Sequence, residues 1–531
     1  MSPYVRPVTF RDETNPLGPP APGTATPYSS ANLHAVQDGL GLLIDDNAEQ
    51  ALALINELTT RIDALEGAIP PITPGTQVWP IINTSVLGST YAPLAYPIAT
   101  TKRFIHAQNG NDTNDGLSWS TPWKSLYQAW QTVISDPGGQ GIEIWCDGIF
   151  DLTNVDQYYP SSGQLLIANV IDGTITAPRS VRALPGCKVI NGYLTLRTPN
   201  YNRFSGFEIN GGGVVSDQCL KIESASATAH FEHSYNKYMN YKDQAVLIET
   251  GLGADFHGYC NDYTRIGNYR HPDGTRGHFD QPIYVKKCPR YLEINPIFHS
   301  NIGGYGFHAY DGATSDPANG ARMLHATSLG TQPFGPAGCS GNISSSSPNI
   351  TNAVAPAGKE FRPGQVVLGI GIPANAQIDS ITGSGPYTLI MSANATANTT
   401  GLALTVHTPS SGFVIDNGQN ITIANSIFKD YHGSGVNASV MGRPGRWINT
   451  TANNQFRYNL IHNCLNSLGT QAGVTEIGTI ASDPQIVSLT DQIYSLLAGS
   501  PAKNSGEPWG VLVDHYGRPR SSIQPSIGAV E

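Results

Sequence analysis

Two distant stretches of the chain carry the same order of short apolar runs and turns, and this repetition constrains the fold more than any other feature. Ile283-Tyr284-Val285, Leu292-Glu293-Ile294, Ile297-Phe298 and Gly306-Phe307 are echoed by Phe413-Val414-Ile415, Ile421-Thr422-Ile423, Ile427-Phe428 and Gly435-Val436. Repeats of this size point to a solenoid, in which each coil buries its apolar side chains only by stacking on the next. Similar runs, among them Phe204-Ser205-Gly206-Phe207-Glu208-Ile209, Leu220-Lys221-Ile222 and Val246-Leu247-Ile248, alternate with Asn, Gly and Asp from about 140 to 327 and again from 411 to 480. Stacked coils also account for the charge content. Only 13% of the 531 residues are charged, against roughly 25% in an average globular chain. Inward positions must be apolar, and bends take Asn and Gly.

The charge that remains excludes several partners. A net charge of −10 is thinly spread and the basic residues form no runs, so no nucleic-acid partner is expected, because phosphate neutralisation needs clustered Lys and Arg. No stretch has the length of a membrane span, and the N-terminus lacks the basic-then-apolar order of a signal peptide. The expectation is a chain made in a cytoplasm, not secreted through a signal peptide and without membrane insertion. Seven widely spaced cysteines lack any C-x-x-C pair, which argues for buried free thiols over disulfides or zinc. P-loop, GxGxxG, HExxH and GxSxG spacings are also missing, so no cofactor is expected.

Residues 1–30 are Pro-rich and aperiodic, an extended tail that cannot bury a core of its own. Within 31–67, Ile44, Ala48, Ala51, Ile55, Leu58, Ile62 and Leu65 alternate spacings of four and three, the seam of a short coiled coil. Ile at a with Leu at d favours a dimer. Arg61-Ile62-x-x-Leu65-Glu66, however, resembles the R-h-x-x-h-E signature of short trimeric coiled coils. A homotrimer joined through Ile44, Ile55, Leu58, Arg61, Ile62, Leu65 and Glu66 is the expectation, and one amphipathic helix packed on its own domain is the alternative. Residues 68–101 read as a Pro/Thr/Ser linker.

The body begins with Phe104-Ile105-His106-Ala107-Gln108-Asn109-Gly110-Asn111-Asp112, then Asp115-Gly116-Leu117-Ser118 and Thr121-Pro122-Trp123-Lys124-Ser125-Leu126. Thr121 is suited to cap a helix with Pro122 at its first position, and Leu126, Ala129, Trp130 and Val133 give that helix one apolar face. This segment resembles the opening of right-handed parallel β-helix proteins, including phage tailspikes and secreted polysaccharide-acting proteins, where the helix caps the open end of the solenoid. The ending, from Gly499-Ser500-Pro501-Ala502 through Asp514-x-x-Gly517-Arg518-Pro519-Arg520 to Ile527-Gly528-Ala529-Val530-Glu531, resembles the closing segment of bacterial and phage β-helix proteins. Residues 328–410 interrupt the coils with short strand-like pieces, and Pro363-Gly364-Gln365-Val366-Val367-Leu368 onward resembles a small β-module of phage virion proteins. The predicted fold is therefore mainly β: a right-handed parallel β-helix over 102–327 and 411–531, an N-terminal α-helical coiled coil, and a small inserted β-domain at 328–410.

Thr26-Pro27-Tyr28-Ser29-Ser30-Ala31-Asn32-Leu33-His34 is similar to the segment that opens many phage tail-associated proteins. Together these resemblances imply a homotrimeric tail spike, fibre or minor tail protein, carried on the virion, docked to other tail or baseplate proteins through its N-terminus and meeting a host-surface polysaccharide. A polysaccharide depolymerase, hydrolase or lyase, on the same scaffold is the first alternative, and a purely structural tail ornament the second.

Any chemistry must lie on the solenoid's face. Glycoside hydrolysis needs two carboxylates, and a lyase needs a base with a group that neutralises a uronate. Asp255, Asp262, His278 and Asp280 are the catalytic candidates. His257, Tyr259, Tyr263, Tyr269, Arg276, His308 and Asp311 are the glycan-binding candidates, in a region that also holds Arg265 and His299. The competing reading is that these groups fill polar turns and trimer contacts. No metal is expected, because the pair His230 and His233 lacks an identifiable third ligand.

Overall fold

The computed structural model describes residues 82–94, 101–128, 141–153, 164–167, 173, 178–197, 200–212, 218–224, 230–250, 255–267, 280–286, 288–301, 303–310, 318–331, 333–432, 442–450, 452–469, 472–489 and 492–531. The tail 1–30 and the coiled coil expected at 31–67, with all its contact residues, lie outside the described residues.

Among the described residues the body is built from three long, all-parallel sheets whose strands alternate along the chain. The first has eleven strands, from Thr101–His106 to Val474–Ile477. The second has eight, from Gln164–Ile167 to Arg446–Ile448, and the third ten, from Ile149–Asp151 to Ile480–Ala481. Each strand pairs with its counterpart one coil away, so the chain winds as a parallel β-helix. Five strands of the first sheet position the groups discussed below: β1 (Asn202–Ser205), β2 (His230–Ser234), β3 (Asp255–Tyr259), β4 (Leu292–Ile294) and β5 (Arg322–Leu324).

The bend between the first and third sheets is a single residue in the left-handed region. Tyr235, Cys260, Asn295, His325, Asn425 and Tyr458 occupy it with φ between 48° and 55°, a conformation costing a side-chain-bearing residue roughly 1–2 kcal/mol, least for Asn. A buried asparagine just past the bend fastens the coils. Asn236 accepts from Phe207 N (3.0 Å) and donates to Phe204 O (3.1 Å), and Asn261 does the same to Asn236 N (3.1 Å) and His233 O (3.0 Å). Asn459 repeats it with Ser426 N (2.8 Å) and Ile423 O (2.9 Å). Two further corners use the same device: Asn301 takes Ile266 N and Tyr263 O, and Asn454 takes Ile421 N and Gly418 O. In every case the two backbone groups lie three residues apart on the preceding coil. One carboxamide thus satisfies a donor and an acceptor that the tight corner leaves without a strand partner.

Inside, ring stacks run along the axis. Tyr238, Tyr263 and Phe298 of the third sheet stack at 5.3 and 5.0 Å. The lumen also holds a polar knot. His233, Gly258 and Glu293 are register neighbours on the inward face of β2, β3 and β4, and Glu293 accepts from Tyr291 Oη, Tyr263 Oη (3.1 Å) and Asn261 Nδ2 (3.3 Å), with His233 Nε2 at 3.7 Å. Gly258 is required here, because a Cβ would stand 1.8 Å from Glu293 Oε2. Burial raises the Glu293 carboxyl to about 7 despite the hydrogen bonds from Tyr291, Asn261 and Tyr263.

This knot reverses the expected facing of one strand. Leu292 and Ile294 point outward while Glu293 points in, because residues 82–94 and the C-terminus cover the outer face. Ile82, Leu87 and Tyr91 pack there with Tyr259, Leu292, Ile294, Leu324 and Val511. The stretch read as linker, 68–101, is therefore packed on the solenoid over 82–94. The closing segment 499–531 runs along the flank over the left-handed corners: Asn295 Nδ2 donates to Val513 O, and Gly528 N to Asn425 O. At the N-terminal end Thr121 is not the helix cap. Its hydroxyl donates to Asp115, and Ser125 Oγ accepts from Gln128 N instead. None of the seven cysteines forms a disulfide, and Cys464 alone is only half-buried.

Between Leu329 and Ser411 the chain leaves the solenoid to form a five-stranded antiparallel sheet with a two-stranded partner, around Phe334, Ile343, Ile350, Leu389 and Leu404. The coils continue across it in register, with Phe307 opposite Phe413 and Thr327 opposite Ile427.

Two outcomes test this account. Asn459→Ala removes both inter-coil bonds and is expected to cost about 2–3 kcal/mol, read as a lowered denaturant midpoint; an unchanged midpoint would contradict the clamp. Because the folded Glu293 carboxyl titrates above its unfolded value, its contribution is complete below the ordinary carboxylate range and is lost as pH rises through about 7. The wild-type melting temperature should fall across that window, and that fall should flatten in Glu293→Gln.

Candidate functional site

Strand alternation divides the histidine-rich region between two faces. On β2, Phe231 and His233 point into the core while His230 and Glu232 point out, so the pair His230 and His233 is separated. Outward on the first sheet, Arg203, Glu232, His257, Leu292 and Arg322 form one row. Arg203 holds Glu232 Oε2 through Nε at 2.8 Å and a terminal nitrogen at 2.7 Å, and Asp255 pairs with Arg290. The charge of Arg203 is the main reason Glu232 stays below the ordinary carboxylate range against burial, which pushes the other way. Residues 82–94 seal this row: Leu94 N donates to Glu232, Arg203 donates to Leu94 O (2.8 Å), and Arg322 lies 4.1 Å over the Tyr91 ring. His230, Glu232 and His257 are the described residues that bring three metal-competent donors together.

The sequence candidates disperse accordingly. Asp255 lies opposite His230 on the same face, half-buried in its pair with Arg290. His257 is fully buried in the sealed row, Tyr259 is fully buried on the same face beside Ile294, and Tyr263 lies in the lumen stack, so neither tyrosine offers a face to a sugar. Asp280 is fully buried against the backbone of Gly304 and so cannot reach a polysaccharide from that position. His308 is buried on the outer side of the second sheet, its ring 4.8 Å from Tyr284. Tyr269, Arg276, His278 and Asp311 lie outside the described residues.

Asp262 has a different setting. His299 Nε2 lies 3.1 Å from Asp262 Oδ1, and His299 Nδ1 faces Thr264 Oγ1 at 3.3 Å and Ser300 Oγ at 3.4 Å. Register explains the meeting, because Thr264 and His299 are opposite each other on adjacent coils of the third sheet. Burial tends to raise the Asp262 carboxyl, but the facing His299, with Lys237 and His515, brings it below the usual value. His299 lines a cleft of about 440 Å³ bounded by the solenoid, the inserted module and the C-terminal hairpin, the antiparallel strands Ile486–Ser488 and Ile493–Leu496. The module brings Lys359, Glu360 and Arg362 to it, and the third-sheet corner brings Arg265. Glu360 stands between Arg265 (3.4 Å) and Arg362 (3.7 Å), and Asp430 also lines the cleft, so Arg265, Lys359 and Arg362 outnumber the two carboxylates by one. Burial pushes the Arg362 guanidinium down to about 10, still cationic at neutral pH. Tyr494 from the hairpin adds a ring 5.5 Å from that of His299.

Sequence reasoning named Asp262, Arg265 and His299 but missed Lys359, Glu360, Arg362 and Tyr494. A signal was present: Lys359, Glu360 and Arg362 stand together in an insert otherwise nearly free of charge.

Comparison with known proteins finds no matching family model and no matching curated protein. Among solved structures the chain is similar to pectate lyase Pel9A, with 14% identity and a TM-score of 0.45 over 82% of this chain and 96% of that one. It is similar to a GH136 lacto-N-biosidase from Eubacterium ramulus, at 10% identity and a TM-score of 0.36 over 72% of this chain and 63% of that one. It is also similar to a rhamnogalacturonan lyase, at 13% identity and a TM-score of 0.29 over 73% and 91%.

Proposed function

We propose that this chain acts on an anionic polysaccharide held in the cleft beside His299, and that it cleaves that polymer by β-elimination. The observation that carries the reading is the His299–Asp262 pair, at 3.1 Å, in a cleft rimmed by Arg265, Lys359 and Arg362. A uronate carboxylate docked on these cations becomes a better electron sink, which makes its neighbouring C5 proton removable. His299, held through Nε2 by Asp262, takes that proton on Nδ1, the nitrogen that faces Thr264 and the cleft residue Ser300. The electron pair forms the C4–C5 double bond, and the C4–O bond breaks to release the shortened chain, which takes up a proton as its new hydroxyl.

The setting we infer is a phage tail, with the chain as a homotrimer docked to other tail or baseplate proteins through its N-terminus and directed at a host-surface polysaccharide. The resemblances of residues 26–34, of Arg61-Ile62-x-x-Leu65-Glu66 and of the two ends of the body support that setting.

Purified protein incubated with host envelope polysaccharide and with a panel of uronate polymers should release unsaturated uronates, followed by their ultraviolet absorbance. His299→Ala should lower the rate by at least about 100-fold, while Arg265→Ala should act chiefly on KM. Binding without release would replace cleavage with attachment alone, and neither binding nor release would favour a structural ornament. Full activity in His299→Ala would remove His299 as the base.

A further inference from the structure

We propose that His230, Glu232 and His257 form a site for a divalent transition ion of the zinc class beneath residues 82–94. It lies on the first sheet, apart from the cleft, and does not rest on the function proposed above.

The three side chains come from β2 and β3, adjacent coils whose register sets Glu232 beside His257. Each offers a donor within 4.8 Å of the other two, and all three are buried. His230 Nε2 and Glu232 Oε1 are already 3.4 Å apart, the spacing of about 3.4 Å that a tetrahedral ion with bonds of about 2.0–2.1 Å imposes on its ligands. The His257 ring approaches the His230 ring edge-on, with centroids 4.6 Å apart. His257 Nε2 is buried and has no hydrogen-bond partner among the described residues, an arrangement that leaves a strong acceptor or donor without compensation unless something is bound.

The surroundings are those of a ligand set held in place. Arg203 fixes Oε2 of Glu232, while Oε1, which also accepts from Leu94 N, is turned toward His230 with a second lone pair for the ion, and Tyr259 Oη lies 3.0 Å from His257 Nδ1, the outer contact that orients a ligating imidazole. Two imidazoles and one carboxylate suit zinc and its neighbours better than calcium or magnesium, which take oxygen. The main chain of Leu94 bonds to both Glu232 and Arg203, so an ion here joins two coils at the point where residues 82–94 are anchored.

The test uses the untagged full-length chain, stripped with EDTA, reloaded with zinc chloride and freed of excess metal. Elemental analysis should find one zinc per chain, cobalt loading should give visible d–d absorption, and zinc should raise the melting temperature. X-ray absorption of the zinc-loaded wild type should report nitrogen and oxygen ligands with two imidazoles, a readout that needs no variant to fold. His230→Ala and His257→Ala, checked by circular dichroism, should each lose the ion. A wild-type chain that takes up neither metal, a ligand set dominated by sulfur, or undiminished zinc in both folded variants would overturn the site.

Discussion

The solenoid depends on one small interaction, the asparagine carboxamide that bonds a backbone N–H and C=O three residues apart on the preceding coil. A single-residue corner turns the chain sharply enough to start a new sheet, but it interrupts the strand ladder and orphans backbone groups. Asn236, Asn261, Asn301, Asn454 and Asn459 meet that need with a neutral side chain. A charged residue would have to be desolvated in the same place, at several kcal/mol. The shortage of charge and the wealth of asparagine are thus two results of one geometric demand.

The same logic shows how much of the fold was legible. Parallel stacking could be read from the echo of Ile283–Phe298 in Phe413–Phe428, because coils that share neighbours share a pattern. The facing of individual strands was less legible. Leu292-Glu293-Ile294 and Ile421-Thr422-Ile423 look alike, yet the first turns its aliphatic residues outward and the second turns them inward. The difference lies in what covers the outer face, residues 82–94 and 507–531, and no local pattern in β4 records that.

The candidate chemistry was scattered for a related reason. Adjacent residues of a strand face opposite ways, whereas proximity across coils depends on the number of residues per coil, which varies with loop length. Asp262 and His299 meet because their strands are register neighbours, and His230 finds His257 for the same reason while losing His233 to the lumen. The cleft also draws Lys359, Glu360 and Arg362 from an insert and Tyr494 from the C-terminal hairpin. Such a site is assembled from three parts of the chain, and none of them carries a motif on its own.

The insert leaves the coils at Leu329 and rejoins them at Ser411 while Thr327 still faces Ile427. The two ends of the module therefore meet a continuous ladder, which neither strains nor shifts when the intervening segment changes length or content. Selection can act on ligand preference and on scaffold integrity as separate traits. A lineage can trade one such module for another and keep the coil stack, together with the Asp262–His299 pair, intact.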